Sequence, residues 1–190
     1  MKQIFWGMFF ILLNFSFTFN NYYVLGLIPA FVGYWILRGG LAELADQSGM
    51  FQKALPFTLP MGICTAILWA GDLLGIWNGI GIGMLTGIAV IAINYYVTYL
   101  VVEGIRELER ERDAFLYGEQ LHKVWLITLG LNLAIYVVIF IQLVRFLTIL
   151  TILAGLALGI YFVVLFYRAW KLYEKLPPNG QSGGKPDWEF

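Results

Sequence analysis

The sequence predicts an all-α membrane protein, a polytopic helix bundle with six transmembrane helices. Its 190 residues are 60% hydrophobic and 13% charged, with a mean hydropathy of +0.76, whereas soluble domains are about half apolar and a quarter charged. The apolar residues form runs of roughly 20, the length that a helix needs to cross about 30 Å of hydrocarbon. Lysine and arginine are concentrated in alternate connections, as expected for a multi-pass protein.

The six predicted spans are apolar runs separated by short polar connections. They cover about residues 4–19, 22–41, 55–76, 79–102, 124–144 and 146–167. The first run is not read as a signal peptide, because no small-residue cleavage site follows it. Its last part, Phe15–Asn20, alternates bulky and polar side chains. This period of two suits an extended segment better than a helix, which predicts a short first helix that ends near Asn14.

Prolines bear on where the second and third helices start. Pro29 lies inside the second run, where it either opens a shortened helix or kinks a longer one, since proline lacks the backbone N–H and clashes inside a helix. Pro56 and Pro60 lie near the start of the third run, where a missing N–H costs least. We therefore expect the third helix to begin at about Leu55.

The distribution of basic residues predicts that both chain ends face the cytoplasm. With six crossings and the N-terminus inside, eleven of the twelve basic residues lie on the cytoplasmic side and only Arg145 lies outside. If the first run did not span, the N-terminus would lie outside with Lys2. Residues 1–176 are predicted to form one membrane domain, and the Gly- and Pro-containing residues 177–190 a disordered cytoplasmic tail.

A charged helix is predicted to extend the fourth span into the cytoplasm over residues 103–122. Its acids and bases form pairs at i,i+3 spacing: Glu107/Arg110 and Glu109/Arg112. Its apolar residues continue one stripe: Val101, Ile105, Leu108 and Phe115. Two interpretations are open. The segment is either a solvated extension or a surface on which Ile105, Leu108 and Phe115 dock a protein partner.

Four ionisable residues lie within or at the edge of predicted spans, where a charge at the bilayer centre costs roughly 2.5 to 3.5 kcal/mol. Asp72 and Arg145 belong to the same outer leaflet, so we expect either an ion pair between them or separate contacts with water. Arg38 and Glu103 lie at comparable depths near the inner side. This predicts a contact between them, with snorkelling of Arg38 to water as the alternative.

Uncharged polar residues in the spans, among them Asn94 and Asn132, are typical of hydrogen bonds between membrane helices. Glycines at i,i+4 spacing predict places where helix backbones approach closely. These pairs are Gly71/Gly75, Gly79/Gly83, Gly83/Gly87 and Gly155/Gly159. A single cysteine and a single histidine leave too few ligands for a zinc or haem site, so we expect neither a metal nor a cofactor.

The sequence contains no arrangement typical of a membrane enzyme. A serine protease needs a base at membrane depth, but the one histidine, His122, lies at the inner edge of a span. An intramembrane aspartyl protease needs a second aspartate, and Asp72 has none within the predicted bilayer. The zero net charge gives no reason to expect a nucleic-acid partner.

The stretch Leu27–Leu41, with the sequence LIPAFVGYWILRGGL, resembles a pattern of small multi-pass membrane proteins of Gram-positive bacteria to which no activity is assigned. The resemblance is best over the first 45 residues. It implies a bacterial cytoplasmic membrane and transfers no catalytic or binding residue.

Two classes of function are compatible with these features. The first is a non-enzymatic protein that acts through helix–helix or protein–protein interaction in the lipid bilayer, as an accessory subunit or a sensor. The second is a small transporter or ion-coupled carrier that uses Asp72, Asn94 and Asn132. Homo-oligomerisation is compatible with both. An enzyme that acts on lipids is a distant third, because the chain has no paired acid, base or nucleophile.

Overall fold

The computed structural model describes residues 1–12, 17–19, 22–24, 29–74, 80–140 and 145–176. Within these residues the chain forms six α-helices, one 3₁₀ turn and one small hairpin. In chain order the elements are α1 (Lys2–Leu12), β1 (Phe17–Phe19), β2 (Tyr22–Val24), α2 (Ala30–Leu44), the 3₁₀ turn (Ala45–Gln47), α3 (Gly49–Leu73), α4 (Ile80–Glu111), α5 (Gly118–Phe140) and α6 (Arg145–Tyr173). The predicted helical fold is confirmed for this part of the chain. The tail predicted over residues 177–190 lies outside the described residues.

Three of the described helices are long and apolar enough to cross a membrane. The qualifying segments are Gly49–Gly71 in α3, Gly87–Glu111 in α4 and Leu153–Tyr173 in α6. Large aliphatic side chains on these helices are exposed, as in a protein that lipid surrounds, including Ile63, Ile67, Ile88, Leu153 and Ile160.

The first two helices are shorter than the predicted spans. α1 has 11 residues and ends at Leu12, and Phe17–Phe19 pairs antiparallel with Tyr22–Val24. The extended segment predicted from the period-two pattern is thus confirmed over Phe17–Phe19, and the helical span predicted over residues 4–19 is wrong for these three residues. α2 begins directly after Pro29, whose backbone is extended at φ −69° and ψ 125°. Pro29 therefore opens a shortened helix, and the span predicted over residues 22–41 is replaced by Ala30–Leu44.

The third helix starts earlier than its prolines predict. The Ser48 hydroxyl oxygen accepts hydrogen bonds from the backbone N–H groups of Met50 at 3.2 Å and Phe51 at 3.4 Å, which caps the first turn of α3. Pro56 and Pro60 consequently lie inside the helix. The expected start at Leu55 is wrong because the cap, and not the prolines, determines where the helix begins.

Helices α1 and α2 cross at three glycines that the i,i+4 pattern did not single out. A Cβ atom on Gly7 would lie 2.7 Å from the backbone of Leu37, and one on Gly40 would lie 2.7 Å from the backbone nitrogen of Ile4. Gly33 contacts Gly7 in the same way. By contrast, a Cβ atom on Gly87 or Gly159 would meet no atom of the described residues within 4 Å. The predicted close contacts at these last two glycines are therefore wrong.

The predicted extension of the fourth helix is correct in part. α4 continues to Glu111, but residues 112–117 form a turn before α5 begins at Gly118. Asp113 and Tyr117 have positive φ angles of 45° and 59° in this turn, a conformation that side chains other than glycine rarely adopt. The predicted single helix through His122 is thus wrong.

The apolar stripe of this extension lies in the core. Ile105 and Leu108 are 0% exposed, and the Phe51 ring of α3 lies against the adjacent Gly104. Phe115, in the turn, is 61% exposed. The interpretation of Ile105 and Leu108 as an open docking surface is therefore wrong, because α3 already covers this face of α4.

Candidate functional site

A cavity of about 230 Å³ lies between α1, α4, α5 and α6. Its wall is mainly apolar, with a group of uncharged polar side chains on two facing helices. The apolar part is formed by Leu12, Ile91, Gly159 and Phe162, and the polar part by Asn94, Tyr95, Thr98, Trp125, Thr128 and Asn132. Since Asn94 and Asn132 were both predicted as intramembrane polar residues, the structure brings two sequence-predicted residues to one site.

Helical periodicity explains why these residues meet. Ile91, Asn94, Tyr95 and Thr98 occupy positions i, i+3, i+4 and i+7 of α4 and share one helix face. Trp125, Thr128 and Asn132 occupy positions i, i+3 and i+7 of α5. Each helix therefore presents one polar stripe, and the cavity lies where the two stripes face each other.

The amide of Asn94 is oriented by a hydrogen bond from a buried tyrosine. The Tyr34 hydroxyl of α2 donates a hydrogen bond to Oδ1 of Asn94 at 2.8 Å, and Tyr34 is 1% exposed. A buried hydroxyl hydrogen needs an acceptor, which fixes Oδ1 on the Tyr34 side. Nδ2 of Asn94 therefore remains as a donor, and it forms no hydrogen bond with the described residues.

The orientation of the Asn132 amide follows from a similar argument. Nδ2 of Asn132 donates to the carbonyl oxygen of Thr128 at 2.8 Å. A carbonyl oxygen can only accept, so the atom at this contact must be the nitrogen. Oδ1 of Asn132 is left as an acceptor, and the Thr128 hydroxyl adds another because its hydrogen goes to the carbonyl oxygen of Val124 at 2.8 Å.

The remaining polar pair of the wall is structural. Nε1 of Trp125 donates to the Thr98 hydroxyl at 3.0 Å, and that hydroxyl donates to the carbonyl oxygen of Tyr95 at 3.0 Å. The Trp125 ring lies 5.3 Å from the ring of Tyr99, which lies 6.3 Å from the ring of His122. These contacts fix the Trp125 indole as a rigid wall of the cavity.

The cavity lies well away from the charged residues of α4. Asn94 precedes Glu103 by nine residues, which corresponds to about 13 Å along the helix. None of the residues that line the cavity in the described part of the chain is charged. A ligand at this site would thus be held by neutral hydrogen-bonding groups.

The charged residues of α4 belong to a second region, which we call the polar end. It comprises residues 45–53, 103–123 and 168–176. Hydrogen bonds across it join three helices. The Ser48 hydroxyl donates to Oε2 of Glu107 at 2.6 Å, and Gln47 Oε1 accepts from Nη2 of Arg112 at 2.7 Å and from the Tyr173 hydroxyl at 3.1 Å. The polar end therefore fixes where α3, α4 and α6 meet.

The predicted i,i+3 ion pairs at the polar end are wrong. Glu107 contacts Ser48 instead of Arg110, and Arg112 contacts Gln47. Glu109 accepts a hydrogen bond from the backbone N–H of Gly118 at 2.7 Å, which ties the end of α4 to the start of α5. Contacts between elements thus replace both predicted pairs.

The predicted contact between Arg38 and Glu103 is also wrong. Oε1 of Glu103 lies 2.6 Å from Nη1 of Arg106 and 2.7 Å from Nδ1 of His122, while Arg38 is exposed on α2. The contact with His122 is close, but its angles do not meet those of a hydrogen bond. Sequence reasoning missed His122 as a partner because the residue belongs to the helix that follows the turn.

Two exposed carboxylates at the polar end have lowered pKa values. A hydrogen bond from Lys171 lowers the pKa of Glu174, although partial burial opposes the effect. A hydrogen bond from Lys123, followed by its charge, lowers the pKa of Glu119. Both side chains are exposed, so these pairs are solvent-screened and carry little stability.

The predicted pair of Asp72 and Arg145 concerns side chains outside the described residues. The backbone places Asp72 one residue before the end of α3 and Arg145 at the first residue of α6. If the pair forms, Asp72→Asn and Arg145→Gln should lower the melting temperature in detergent by less in combination than the sum of the single effects. Strictly additive effects of the two substitutions would count against the pair.

Comparison with protein-family models, curated proteins and solved structures gave no match. Within the described residues, no group of three or more His, Cys, Asp or Glu side chains is placed to hold a metal ion.

Proposed function

We propose that the protein is a non-enzymatic, multi-pass protein of a bacterial cytoplasmic membrane that senses a small molecule bound in the cavity between α1, α4, α5 and α6. The observation that carries this proposal is the pair of asparagines on facing helices. Asn94 offers a donor and Asn132 an acceptor, and neither atom has a partner among the described residues. Both asparagines are partly exposed, and in a cavity placed within the bilayer, away from water, an unsatisfied polar group costs about 1 to 3 kcal/mol, which favours an occupant.

The membrane setting of this proposal is supported by the helices and by the distribution of charge. Three helices are long and apolar enough to span, and we propose that these three and α5, which has 23 residues, cross the bilayer. Helices α1 and α2 have 11 and 15 residues, fewer than the roughly 20 that a crossing needs. The polar end holds most of the basic residues, including Lys53, Arg106, Arg112 and Lys171, which favours its placement in the cytoplasm. Phe115 is exposed there and is the part of the predicted docking stripe that a protein partner can reach.

The residues of the cavity support ligand binding and not catalysis. Asparagine amides, threonine hydroxyls and an indole can position a ligand by hydrogen bonds and stacking. They are poor general acids, bases or nucleophiles without an ionisable neighbour, and none of the residues that line the cavity in the described ranges is a carboxylate, histidine, lysine or cysteine.

A sensor is favoured over a carrier by what lies between the cavity and the polar end. Val97, Val101 and Ile105 of α4 and Leu121 of α5 are fully buried there, so the described core offers no passage in that direction. A route of contacts exists instead. Trp125 of the cavity wall contacts Tyr99, Tyr99 contacts His122, and His122 contacts Glu103.

The cavity can be filled from one wall without a clash. A Cβ atom on Gly159 would meet no atom within 4 Å, although Gly159 lines the cavity. We expect Gly159→Phe to abolish the saturable binding of small uncharged fluorinated fragments, measured by fluorine NMR on the protein in lipid nanodiscs. Gly130→Phe is the matched control, since Gly130 of α5 is exposed, also faces open space and does not line the cavity. Equal binding to both variants would contradict the proposed site.

A separate measurement tests whether ligand binding in the cavity changes the polar end. Saturation with a bound fragment should slow hydrogen–deuterium exchange of the backbone N–H groups in residues 112–123, and Gly159→Phe should remove the effect. Unchanged exchange in this segment at full occupancy would leave a binding site but contradict a sensor.

A carrier is the second candidate, because the two asparagines that a transport path was predicted to use do line one cavity. A carrier would take up a bound fragment into protein-containing liposomes, with uptake lost in Asp72→Asn. The sensor proposal expects no uptake above that of empty liposomes.

A further inference from the structure

We propose that the cavity selects an uncharged carboxamide on a small apolar body, and that it rejects the corresponding acids and amines. This inference rests on the proposed function, since it specifies what the cavity binds. It is drawn from the hydrogen-bonding atoms that face the ligand, from the absence of charge in the described wall and from the shape of that wall.

The hydrogen-bonding atoms left over in the wall match both halves of a carboxamide. Nδ2 of Asn94 can donate to the ligand carbonyl, because Oδ1 is held by the Tyr34 hydroxyl. Oδ1 of Asn132 can accept from the ligand N–H, because Nδ2 is held by the carbonyl of Thr128. The Thr128 hydroxyl can accept the second N–H of a primary amide, since its own hydrogen is already donated to Val124.

Charged ligands fit this wall poorly for two separate reasons. No charged side chain lines the cavity within the described residues, so an ion would be desolvated without a counter-ion, which is strongly unfavourable. A carboxylate also has no hydrogen to donate to Asn132, and an ammonium or amidinium group has no acceptor for Asn94. Either ion would leave one of the two asparagines unpaired.

The apolar part of the wall limits the size and shape of the ligand. The rings of Tyr95, Trp125 and Phe162 and the side chain of Ile91 surround the polar groups, which favours a flat or branched apolar body. A volume of about 230 Å³ corresponds to the space of roughly eight water molecules in the liquid. A single-ring carboxamide is of this size, whereas a whole phospholipid is much larger.

Four probes of nearly one shape test this selection: para-fluorobenzamide, para-fluorobenzoate, para-fluorobenzamidine and para-fluorotoluene. Their binding to the full chain in nanodiscs is measured by fluorine NMR, with empty nanodiscs correcting for partition into lipid. We expect saturable binding of the benzamide, and affinities lower by about tenfold or more for the benzoate and the benzamidine, because each ion leaves a polar group unpaired.

A substitution separates recognition of the amide from simple filling of the cavity. Asn132→Leu should reduce the affinity for para-fluorobenzamide to that for para-fluorotoluene and leave the latter unchanged or raised. Leu133→Ala is the control, since Leu133 is the next residue of α5, is exposed and does not line the cavity. Retained helical circular dichroism in both variants excludes a loss of folding as the cause.

The outcomes distinguish this inference from the proposed function. Equal affinity for the benzoate, the benzamidine or para-fluorotoluene would overturn the carboxamide selection and keep the cavity as a binding site. A selection for the benzamide that Asn132→Leu does not change would overturn the assigned role of Asn132. Saturable binding of none of the four probes would overturn both the selection and the cavity as a ligand site.

Discussion

Replacing Gly40 with alanine should lower the free energy of unfolding by about 1 to 3 kcal/mol, the usual range for overpacking a close contact. The added Cβ atom would lie 2.7 Å from the backbone nitrogen of Ile4 and 2.8 Å from its side chain. Because a backbone atom cannot rotate away, α1 and α2 would have to separate. The change is measured by denaturant unfolding in detergent micelles, followed by circular dichroism.

Gly130→Ala provides the matched control for this prediction. It makes the same substitution inside a helix, but no atom lies within 4 Å of the new Cβ position. Alanine favours a helix over glycine by about 0.8 to 1 kcal/mol, so this variant should be as stable as the unmodified protein or more so. A similar loss of stability in both variants would mean that the crossing of α1 and α2 is not a close backbone contact.

Truncating Ile105 to alanine should destabilise the protein by about 2 to 5 kcal/mol, as expected for a fully buried aliphatic side chain. Ile105 is 0% exposed and lies where α4 packs against α3. Phe115→Ala removes a larger side chain that is 61% exposed, and it should change stability by no more than about 0.5 kcal/mol. Denaturant unfolding of both variants in the same detergent measures the difference.

This pair of variants also decides between a core and a docking role for the stripe. If Ile105 lay on an open docking surface, Ile105→Ala would leave unfolding unchanged, as Phe115→Ala does. An equal loss of stability in the two variants would contradict the finding that Ile105 is buried and Phe115 is exposed.

The parts of the fold that depend on local sequence could be predicted. The apolar runs predicted helices in each described region that proved helical, and the alternation in Phe15–Asn20 predicted the extended segment that forms β1. Pro29 restricted the start of α2 to one of two alternatives. These features follow from periodicity and backbone restriction, which act over a few residues.

The parts that depend on contacts between distant residues could not be predicted. Glu107 had a suitable ion-pair partner three residues away, yet its hydrogen bond is with Ser48, which precedes it by 59 residues. Gly33 and Gly40 share one face of α2 at i,i+7 spacing, but Gly7 lies on α1, so no spacing within one helix could identify where the two helices cross. Tertiary packing determined both outcomes.

The residues of the cavity could be predicted only in part. Asn94 and Asn132 were recognised as polar residues within apolar runs, and their neighbours at helical spacing, Thr98 and Thr128, lie on the same faces. That these two faces meet was not predictable, because the sequence does not say how α4 is rotated relative to α5. Tyr34, which orients Asn94, comes from a third helix and carried no signal of its own.

The central claim is that the chain crosses a bilayer with the polar end on one side. The most direct measurement is the labelling of single cysteines by a membrane-impermeant maleimide in sealed vesicles of known orientation, after Cys64→Ser removes the native thiol. Asp46→Cys and Glu174→Cys place exposed thiols at the polar end, and Leu74→Cys places one just beyond the opposite end of α3, where Leu74 is 70% exposed. The first two thiols should react from the same face of the membrane and the third from the opposite face. Reaction of all three from one face would contradict this claim.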